Sequence, residues 1–598
     1  MNTGSPVSDF PGTASGRIRA IVAEVLDVDV TEVSETDLFY EDLGVDSLEK
    51  VEITTRVEAE FGVKLSAEQA AAIRCAADAV AALAATATAT DLVDRLVGRQ
   101  LAAGRGGCTA VVDPDLGEVD YRRLHGAARG YAGALRAAGV TPGSRGLVIA
   151  EDSLATVVAA LGLWWHGCVP AIVSPMLSDA ELRHICDDFG PALLHLDAAP
   201  KRQQALATMF AAVPQLTGDD VREALRTGTP TPASRPDEAS EPAGRAADDE
   251  ALVQYTSGTT GVPKGVRHRA GALEAVVDGF GSLLGLRQDD VVLSSARMSF
   301  GYGFGSSVLL PLAAGATVVL IRGVADLHAV SAAVERHRPT VLCSVPRMYA
   351  ALLDGGKASE IPALRKLRLC LSAGENCPPA LARRIRGEFG AELVNGLGAT
   401  EALYIVVATP SDDPTVTGIG TAVPGVTATV RGQEGQLLPA GAEGRLHIAG
   451  PTVALGYIGR ADAARKAFAD GGLYTGDIVR RTEHGSFEYL CRADDLLNLG
   501  GYKVAPSEIE SVVRAVAGVR ECAVVAAHDG NGLEEAVLYL VAAEEADPGQ
   551  VRRAVLAAMR GALASFKRPA RVEFLDRLPT TSTGKLATYR LRTQAVQA

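Results

Sequence analysis

The chain has 598 residues, of which 47% are hydrophobic and 22% charged, and a formal net charge of −14; this is more than one hydrophobic core can hold, so several domains are expected. The acidic balance, with a pI of about 5.3, excludes a general nucleic-acid binder. No apolar run approaches the ~18 residues of a membrane-spanning helix, residues 1–13 lack the basic and apolar regions of a signal peptide, and nine cysteines without a C-x-x-C pair fit reduced thiols, so a cytoplasmic chain with no membrane partner is expected.

In chain order, residues 1–14 are rich in Gly, Ser and Pro and are expected to be disordered. Ile18, Ile21, Val22, Val25 and Leu26 then fall at helical spacing. An acidic loop ends in Phe39-Tyr40-Glu41-Asp42-Leu43-Gly44-Val45-Asp46-Ser47-Leu48, and a second helix is expected from Leu48 with Leu48, Val51, Val57 and Phe61 on one side. A third apolar helix is expected near 67–83. Residues 1–85 carry six Lys/Arg against sixteen Asp/Glu, a net −10 of the chain's −14; such a unit is steered toward basic partner surfaces, or is simply well solvated. Ser47 opens a helix, where its hydroxyl is either an N-cap or, at the positive end of the dipole, a place for a phosphodiester.

Low-complexity residues 84–90 read as a linker. Leu92, Val93, Leu96, Val97 and Leu101 make an amphipathic helix, after which strands and helices alternate at 108–112, 121–138, 145–150, 154–166 and 171–174, implying an α/β domain with a largely parallel sheet. A proline-rich loop at 227–247 precedes the apolar run Ala251-Leu252-Val253-Gln254-Tyr255, which reads as a buried strand. The next ten residues, Thr256-Ser257-Gly258-Thr259-Thr260-Gly261-Val262-Pro263-Lys264-Gly265, supply three glycines, four hydroxyls and one lysine. Glycines admit backbone N–H groups close to phosphate oxygens, hydroxyls donate to them, and a lysine adds charge. Lys264 does not sit in a Walker frame.

The 15–85 unit resembles an acyl carrier protein, on Leu43-Gly44-Val45-Asp46-Ser47-Leu48 in a three-helix setting. That resemblance implies 4′-phosphopantetheine on Ser47, a phosphopantetheinyl transferase that attaches it, and a downstream acyl-carrier-dependent enzyme, with polyketide or fatty-acid partners favoured. The 256–265 stretch resembles the phosphate loop of the adenylate-forming, acyl-activating ligase superfamily, and further motifs follow in the superfamily's order. Ser299-Phe300-Gly301-Tyr302-Gly303-Phe304-Gly305 resembles the acid-binding segment; Ser372-Ala373-Gly374-Glu375 the adenine-contact turn; Asn395-Gly396-Leu397-Gly398-Ala399-Thr400-Glu401 the acid-pocket and magnesium segment; Tyr474-Thr475-Gly476-Asp477 the ribose turn; Arg492-Ala493-Asp494-Asp495 the hinge, with Gly500-Gly501-Tyr502-Lys503 after it; and Pro579-Thr580-Thr581-Ser582-Thr583-Gly584-Lys585 the catalytic lysine loop.

The fold implied is multidomain: disordered 1–14, an all-α carrier bundle at 15–85, a linker at 86–90, a large α/β adenylation core at 91–493 and a small, mobile α+β C-terminal subdomain at 494–598. The resemblance implies that a carboxylate attacks the α-phosphate of ATP to give acyl-AMP and pyrophosphate, and that a thiol then displaces AMP. It places Thr256, Ser257, Gly258, Thr259, Thr260, Gly261 and Lys264 on the phosphates, Gly374 and Glu375 at adenine, and Asp477 and Arg492 at ribose. Thr400 falls on the α-phosphate, Glu401 on Mg²⁺, and Lys585 between carboxylate and α-phosphate. Phe300, Gly301, Tyr302, Gly303, Gly396, Leu397 and Gly398 line the acid; Gly500 and Gly501 line the thiol tunnel; Asp494 is a hinge or an ordinary loop acid.

Amino-acid-activating members carry an aspartate after the segment's phenylalanine. Gly301 stands there instead, so an α-ammonium would lack its counter-ion. The acid and glycine-rich segments resemble the benzoate–CoA ligase branch, which implies an aryl or small non-amino acid; the glycines either open a flat slot or serve tight backbone packing. The thiol is that of the chain's own carrier or of free CoA. A non-catalytic carrier and docking protein is the alternative from another class, disfavoured by intact Lys264, Glu401, Asp477, Arg492 and Lys585.

Overall fold

The computed structural model describes residues 14–61, 65, 67–87, 91–227, 241–257, 263–354, 361–375, 377–410, 418–499, 502–528, 534–580 and 586–597. The expected disorder at 1–13 lies outside them, and Ala14 already belongs to the first helix.

The N-terminal unit holds helices α1 (Ala14–Leu26), α2 (Ser47–Phe61), α3 (Ala67–Ala72) and α4 (Ala76–Ala87). Its core gathers Ile18, Val22, Val33, Phe39, Ile53, Val57, Ile73 and Ala76. Three expectations need correction. The single helix at 67–83 is two helices, because the loop breaks in: Phe39 N–H donates to Arg74 O and Ala77 N–H to Glu35 O, each at 2.8 Å. The apolar residues of α2 do not share one face: Ile53 and Val57 are buried, whereas Leu48 and Val51, on another face, are 76% and 62% exposed. The expected linker is also shorter, since α4 continues to Ala87.

The body contains a nine-stranded and a seven-stranded sheet among the described residues. In the first, parallel strands Val291–Ser294, Val341–Ser344, Leu369–Ala373 and Glu392–Gly398 lie in register, and antiparallel Ile405–Ala408 closes onto Glu392–Gly398. In the second, Arg145–Ala150, Val169–Val173 and Glu250–Ser257 are parallel, and Pro263–Arg269 returns antiparallel as a hairpin. The helix Leu154–Trp165 is buried at every position. Its sequence, LATVVAALGLWW, is apolar all round, and such a helix has no solvent face to offer. It shares one continuous core with residues of both sheets, including Val148, Leu252, Val292 and Leu371.

A five-stranded, largely antiparallel sheet follows, built on Glu443–Ala449, Gly472–Arg481 and Phe487–Arg492. The C-terminal unit pairs Leu497–Leu499 with Tyr502–Val504, and packs the sheet of Val519–His528, Glu534–Ala542 and Arg571–Phe574 against helices Pro506–Arg514 and Pro548–Ala562. It meets the preceding sheet where Ala505 packs on Ile478, Leu490 and Cys491.

Candidate active site

The stretch expected to form the phosphate loop is flanked by two paired antiparallel strands. The first strand runs through Thr256 and Ser257, which pair with Lys264 and Pro263 of the return strand; Gly258, Thr259, Thr260 and Gly261 lie outside the described residues. Lys264 leaves the hairpin beside Tyr457, with its Nζ 5.8 Å from the ring centroid. Tyr457 Oη donates to Glu401 Oε1 at 2.8 Å. One aromatic side chain therefore joins the phosphate hairpin to the expected metal carboxylate. Burial, reinforced by the Glu401 charge, pushes the Tyr457 hydroxyl well above its ordinary range, so it stays a donor. No sequence pattern points to Tyr457, because its strand, Gly456–Tyr457, is two residues long and carries no periodicity to read. His268, on the same return strand, is fully buried beside the Thr400 backbone, and burial pushes its imidazole down to about 3, keeping it neutral.

Thr400 and Glu401 occupy the short helix Thr400–Ala402, and both are half-buried. The chain then reverses through Leu403, whose φ is +68° and ψ −48°, with Tyr404 N–H donating to Ala402 O at 2.8 Å. This is a γ-turn of the rare positive-φ form, strained for any residue with a side chain. It turns Tyr404 inward, where its hydroxyl pairs with Ser306 Oγ at 2.7 Å and its ring lies 5.3 Å from Phe280 and 6.2 Å from Tyr302.

The acid-segment residues open the helix Gly301–Phe304, with Phe300 at its cap. Tyr302 Oη donates to Leu371 O at 2.7 Å and lies 3.1 Å from Ser344 O, fixing the segment across the ends of two parallel strands. Gly374 and Glu375 follow directly on the second of these, and Glu375 lies 3.5 Å from Arg347. Beneath the segment, Asp152 accepts from Met298 N–H at 3.2 Å and faces Arg297 at 3.7 Å. Burial pushes Asp152 up to about 6 against the pull of Arg297. The glycines serve backbone packing more than an open slot. A Cβ at Gly303 would lie 2.0 Å from Arg297 O, at Gly305 2.2 Å from the Tyr404 ring, at Gly396 2.7 Å from Ile405 and at Gly398 2.5 Å from Tyr404 O. Leu397 is half-buried between the last two.

Asp477 and Arg492 are direct cross-strand partners. Arg492 Nη1 donates to Asp477 Oδ1 at 2.9 Å and to Thr475 O at 2.8 Å. Gly476 between them has φ +80°, and a Cβ there would fall 2.6 Å from Arg492 Nη2, so the turn admits no side chain. Arg492 is close enough to Glu401 and Tyr457 to feel both electrostatically, which brings this pair to the same site. Asp494 lies in the one-turn helix Ala493–Asp495. Its neighbour Asp495 pairs with Arg592 of the last helix, Thr588–Gln597, at 2.5 Å. Lys585, Gly500 and Gly501 lie outside the described residues.

Ser47 is exposed at the first position of α2. It is not the cap. Asp46 Oδ1 accepts from Leu48 and Glu49 N–H at 2.8 Å, and Glu49 Oε2 accepts from Asp46 N–H at 2.8 Å. This reciprocal box satisfies the helix end and leaves the serine hydroxyl out of the capping.

An exposed, non-capping serine at the head of α2 and the meeting of Lys264, Tyr457, Glu401 and the Asp477–Arg492 pair at one place fit one class: an adenylate-forming enzyme with an attached carrier domain. Residues 99–458 match the AMP-binding enzyme family, 508–585 its C-terminal domain and 16–83 the phosphopantetheine attachment site. The chain belongs to the AMP-binding enzyme family, and it is an acid–thiol ligase that uses ATP. It is 32% identical over 511 residues to the 4-hydroxybenzoate–CoA/benzoate–CoA ligase of Rhodopseudomonas palustris, covering 84% of this chain and 93% of that one. Among solved structures it is similar to a benzoate CoA ligase from Burkholderia xenovorans LB400, with TM-score 0.75, 29% identity and coverage of 84% and 99%. It is also similar to the anthranilate CoA ligase AuaEII in complex with anthranoyl-AMP, with TM-score 0.77, 27% identity and coverage of 85% and 98%. No helix among the described residues is long and apolar enough to cross a membrane.

Proposed function

We propose that this chain activates an aryl carboxylic acid as its adenylate and passes the acyl group to a phosphopantetheine thiol on its own Ser47. The observation that carries the first step is the junction of Lys264, Tyr457 and Glu401 at the phosphate hairpin. An acid carboxylate oxygen attacks the α-phosphorus, the bond to the β-phosphate oxygen breaks, and pyrophosphate leaves. Two anions meet in that step, so the site must supply donors and cations where charge gathers. Thr256, Ser257 and the glycine-rich tip hold the phosphates with Lys264, and Thr400 holds the α-phosphate. Lys585 bridges carboxylate and α-phosphate, and Gly374 with Glu375 bounds the adenine. Asp477, held by Arg492, accepts the ribose hydroxyls. Glu401 fits Mg²⁺: Tyr457 occupies Oε1, and a hard cation needs few protein carboxylates when phosphate oxygens complete its shell. Mg²⁺ there would neutralise phosphate charge. Phe300, Gly301, Tyr302 and the 396–398 turn hold the acid, an aryl acid by similarity to the ligases named above.

In the second step the thiol sulfur attacks the acyl carbon and AMP departs. Rotation of the subdomain from 494 onward about Asp494 withdraws Lys585 and brings Gly500 and Gly501 to the thiol. Ser47, exposed and relieved of capping by Asp46, supports its role as the attachment point. A second reading, free CoA as acceptor, is favoured by the CoA-ligase activity in the relatives' names.

The test is intact-protein mass measurement of the phosphopantetheinylated chain with ATP, Mg²⁺ and a pool of benzoates. Acyl mass on Ser47 is expected. Mixing a Ser47→Ala chain with a pantetheine-bearing Lys585→Ala chain separates routes: acyl on the second chain means transfer between chains. Ready acylation of CoA with none at Ser47 in any mixture overturns the carrier reading.

A further inference from the structure

We propose that Gln254 determines which aryl acid is accepted, by hydrogen-bonding a hydroxyl or amino substituent of the ring; the inference rests on the aryl-acid reading above. Gln254 interrupts an otherwise apolar buried run, Ala251-Leu252-Val253 before it and Tyr255 after it. It is itself 5% exposed, and its Oε1 has no hydrogen-bond partner among the described residues. A buried carboxamide oxygen left unpaired is costly, and native interiors rarely leave one without a partner from outside the chain.

The carboxamide points at the acid segment. A Cβ built on Gly301 would lie 2.9 Å from Gln254 Oε1, 3.3 Å from its Nε2 and 2.6 Å from Leu403 O. Gln254, two residues before the phosphate hairpin's Thr256, thus reaches from the seven-stranded sheet to fill the space that a side chain at 301 would take. The strained turn at Leu403 closes the same space from the other side. The polar group beside position 301 is thus supplied by a different strand and is uncharged. A carboxamide does not compensate a buried ammonium, but turned either way it meets a neutral phenol or aniline. On the segment that it faces, Phe300 is 37% exposed and Gly301 half-buried.

A site that pairs a buried polar group with the substrate rejects the analogue lacking the partner. Wild-type chain is therefore expected to prefer one hydroxy- or aminobenzoate over benzoate by about 10- to 100-fold in kcat/KM, measured by ATP–pyrophosphate exchange. Gln254→Leu should lower that preferred acid by a similar factor and leave benzoate unchanged or improved. Gln254→Met, unbranched and of similar length, gives the same reading if the leucine variant does not fold. A water molecule satisfying Gln254 would make the variants lower all acids together, and that result, or a wild type that uses benzoate as well as every substituted isomer, overturns this inference alone. No exchange with any acid by the wild type overturns the proposed function and this inference with it.

Discussion

Replacing Tyr457 by Phe removes one oxygen and tests how the carboxylate of Glu401 is held. The bond lost is the 2.8 Å donation from Tyr457 Oη to Glu401 Oε1. A hydrogen bond to a charged group contributes ~1.5–3 kcal/mol. Glu401 is half-buried, so water partly replaces the lost donor and the lower end, ~1.5–2 kcal/mol, applies, equivalent to ~10–30-fold in rate. The ring remains, so the Lys264 ammonium keeps its aromatic neighbour at 5.8 Å. The assay is ATP–pyrophosphate exchange at varied Mg²⁺ and ATP. Tyr457→Phe should lower kcat/KM for MgATP by that factor and raise the Mg²⁺ needed for half-maximal rate, while KM for the acid stays put. Tyr457→Ala, which removes ring and hydroxyl, should lose more. Equal activity of Tyr457→Phe and wild type, with loss only in Tyr457→Ala, would show that the hydroxyl does not position Glu401 and would assign the effect to the ring; equal loss in both variants would assign it to the hydroxyl alone.

Lys585→Ala should cut adenylate formation by ~10²–10³-fold, the usual loss for one preorganised charge stabiliser, yet spare thiol transfer from added acyl-AMP; normal acyl-AMP formation in single turnover would show the lysine is misassigned. Asp494→Pro fixes φ in the Ala493–Asp495 turn and should slow thioester formation while pyrophosphate exchange persists; parallel loss of both would mean local unfolding. Burial holds His268 down to about 3 and His195 to about 4. Both lie below the unfolded value of about 6.5, so their neutral forms contribute stability that is fully present above about pH 6.5 and is lost as pH falls toward 3–4. The thermal midpoint should drop between about pH 6.5 and 4.5, less so in His195→Gln; a midpoint that rises on acidification would contradict this.

Much of the site is legible in the sequence because its groups come as short motifs at turns. Gly476 needs a positive φ, so a turn there is legible in composition, whereas the ribose role of Asp477 rests on the family resemblance. What was not legible lies between motifs. Tyr457 reaches Glu401 because its two-residue strand pairs with Val266 and Arg267, a pairing between residues nearly two hundred apart. The capping of α2 was legible, since Asp46-Ser47-Leu48-Glu49 is an acid-x-x-Glu box, but a serine at a helix start attracts the cap assignment first. The exposed Leu48 and Val51 show the limit of periodicity: apolar spacing along one helix does not say which apolar residues face the core. Gln254 was visible as an amide in an apolar strand, but its direction depends on the Leu403 turn, which no local pattern predicts.

The carrier's tether bears on how the two activities meet. Helix α4 ends at Ala87 and the next helix begins at Leu92, so four residues, 88–91, join carrier and ligase. Fully extended, they span at most ~14 Å. A tether raises the local thiol concentration only where it lets donor and acceptor touch, and supplies nothing where it cannot span the gap. A leash this short leaves the carrier few positions relative to the residues around Asp91. In-chain delivery therefore requires either that the last turns of α4 unwind or that the thiol tunnel open close to Asp91. Ala82 packs on the carrier core, and the helix beyond it to Ala87 is alanine and threonine with a single leucine. Transfer to a second copy needs neither concession, because the receiving carrier is then free to choose its approach. For the carrier acceptor proposed above, the geometry of the join, more than the chemistry of either half, is thus expected to decide between loading within one chain and loading across two.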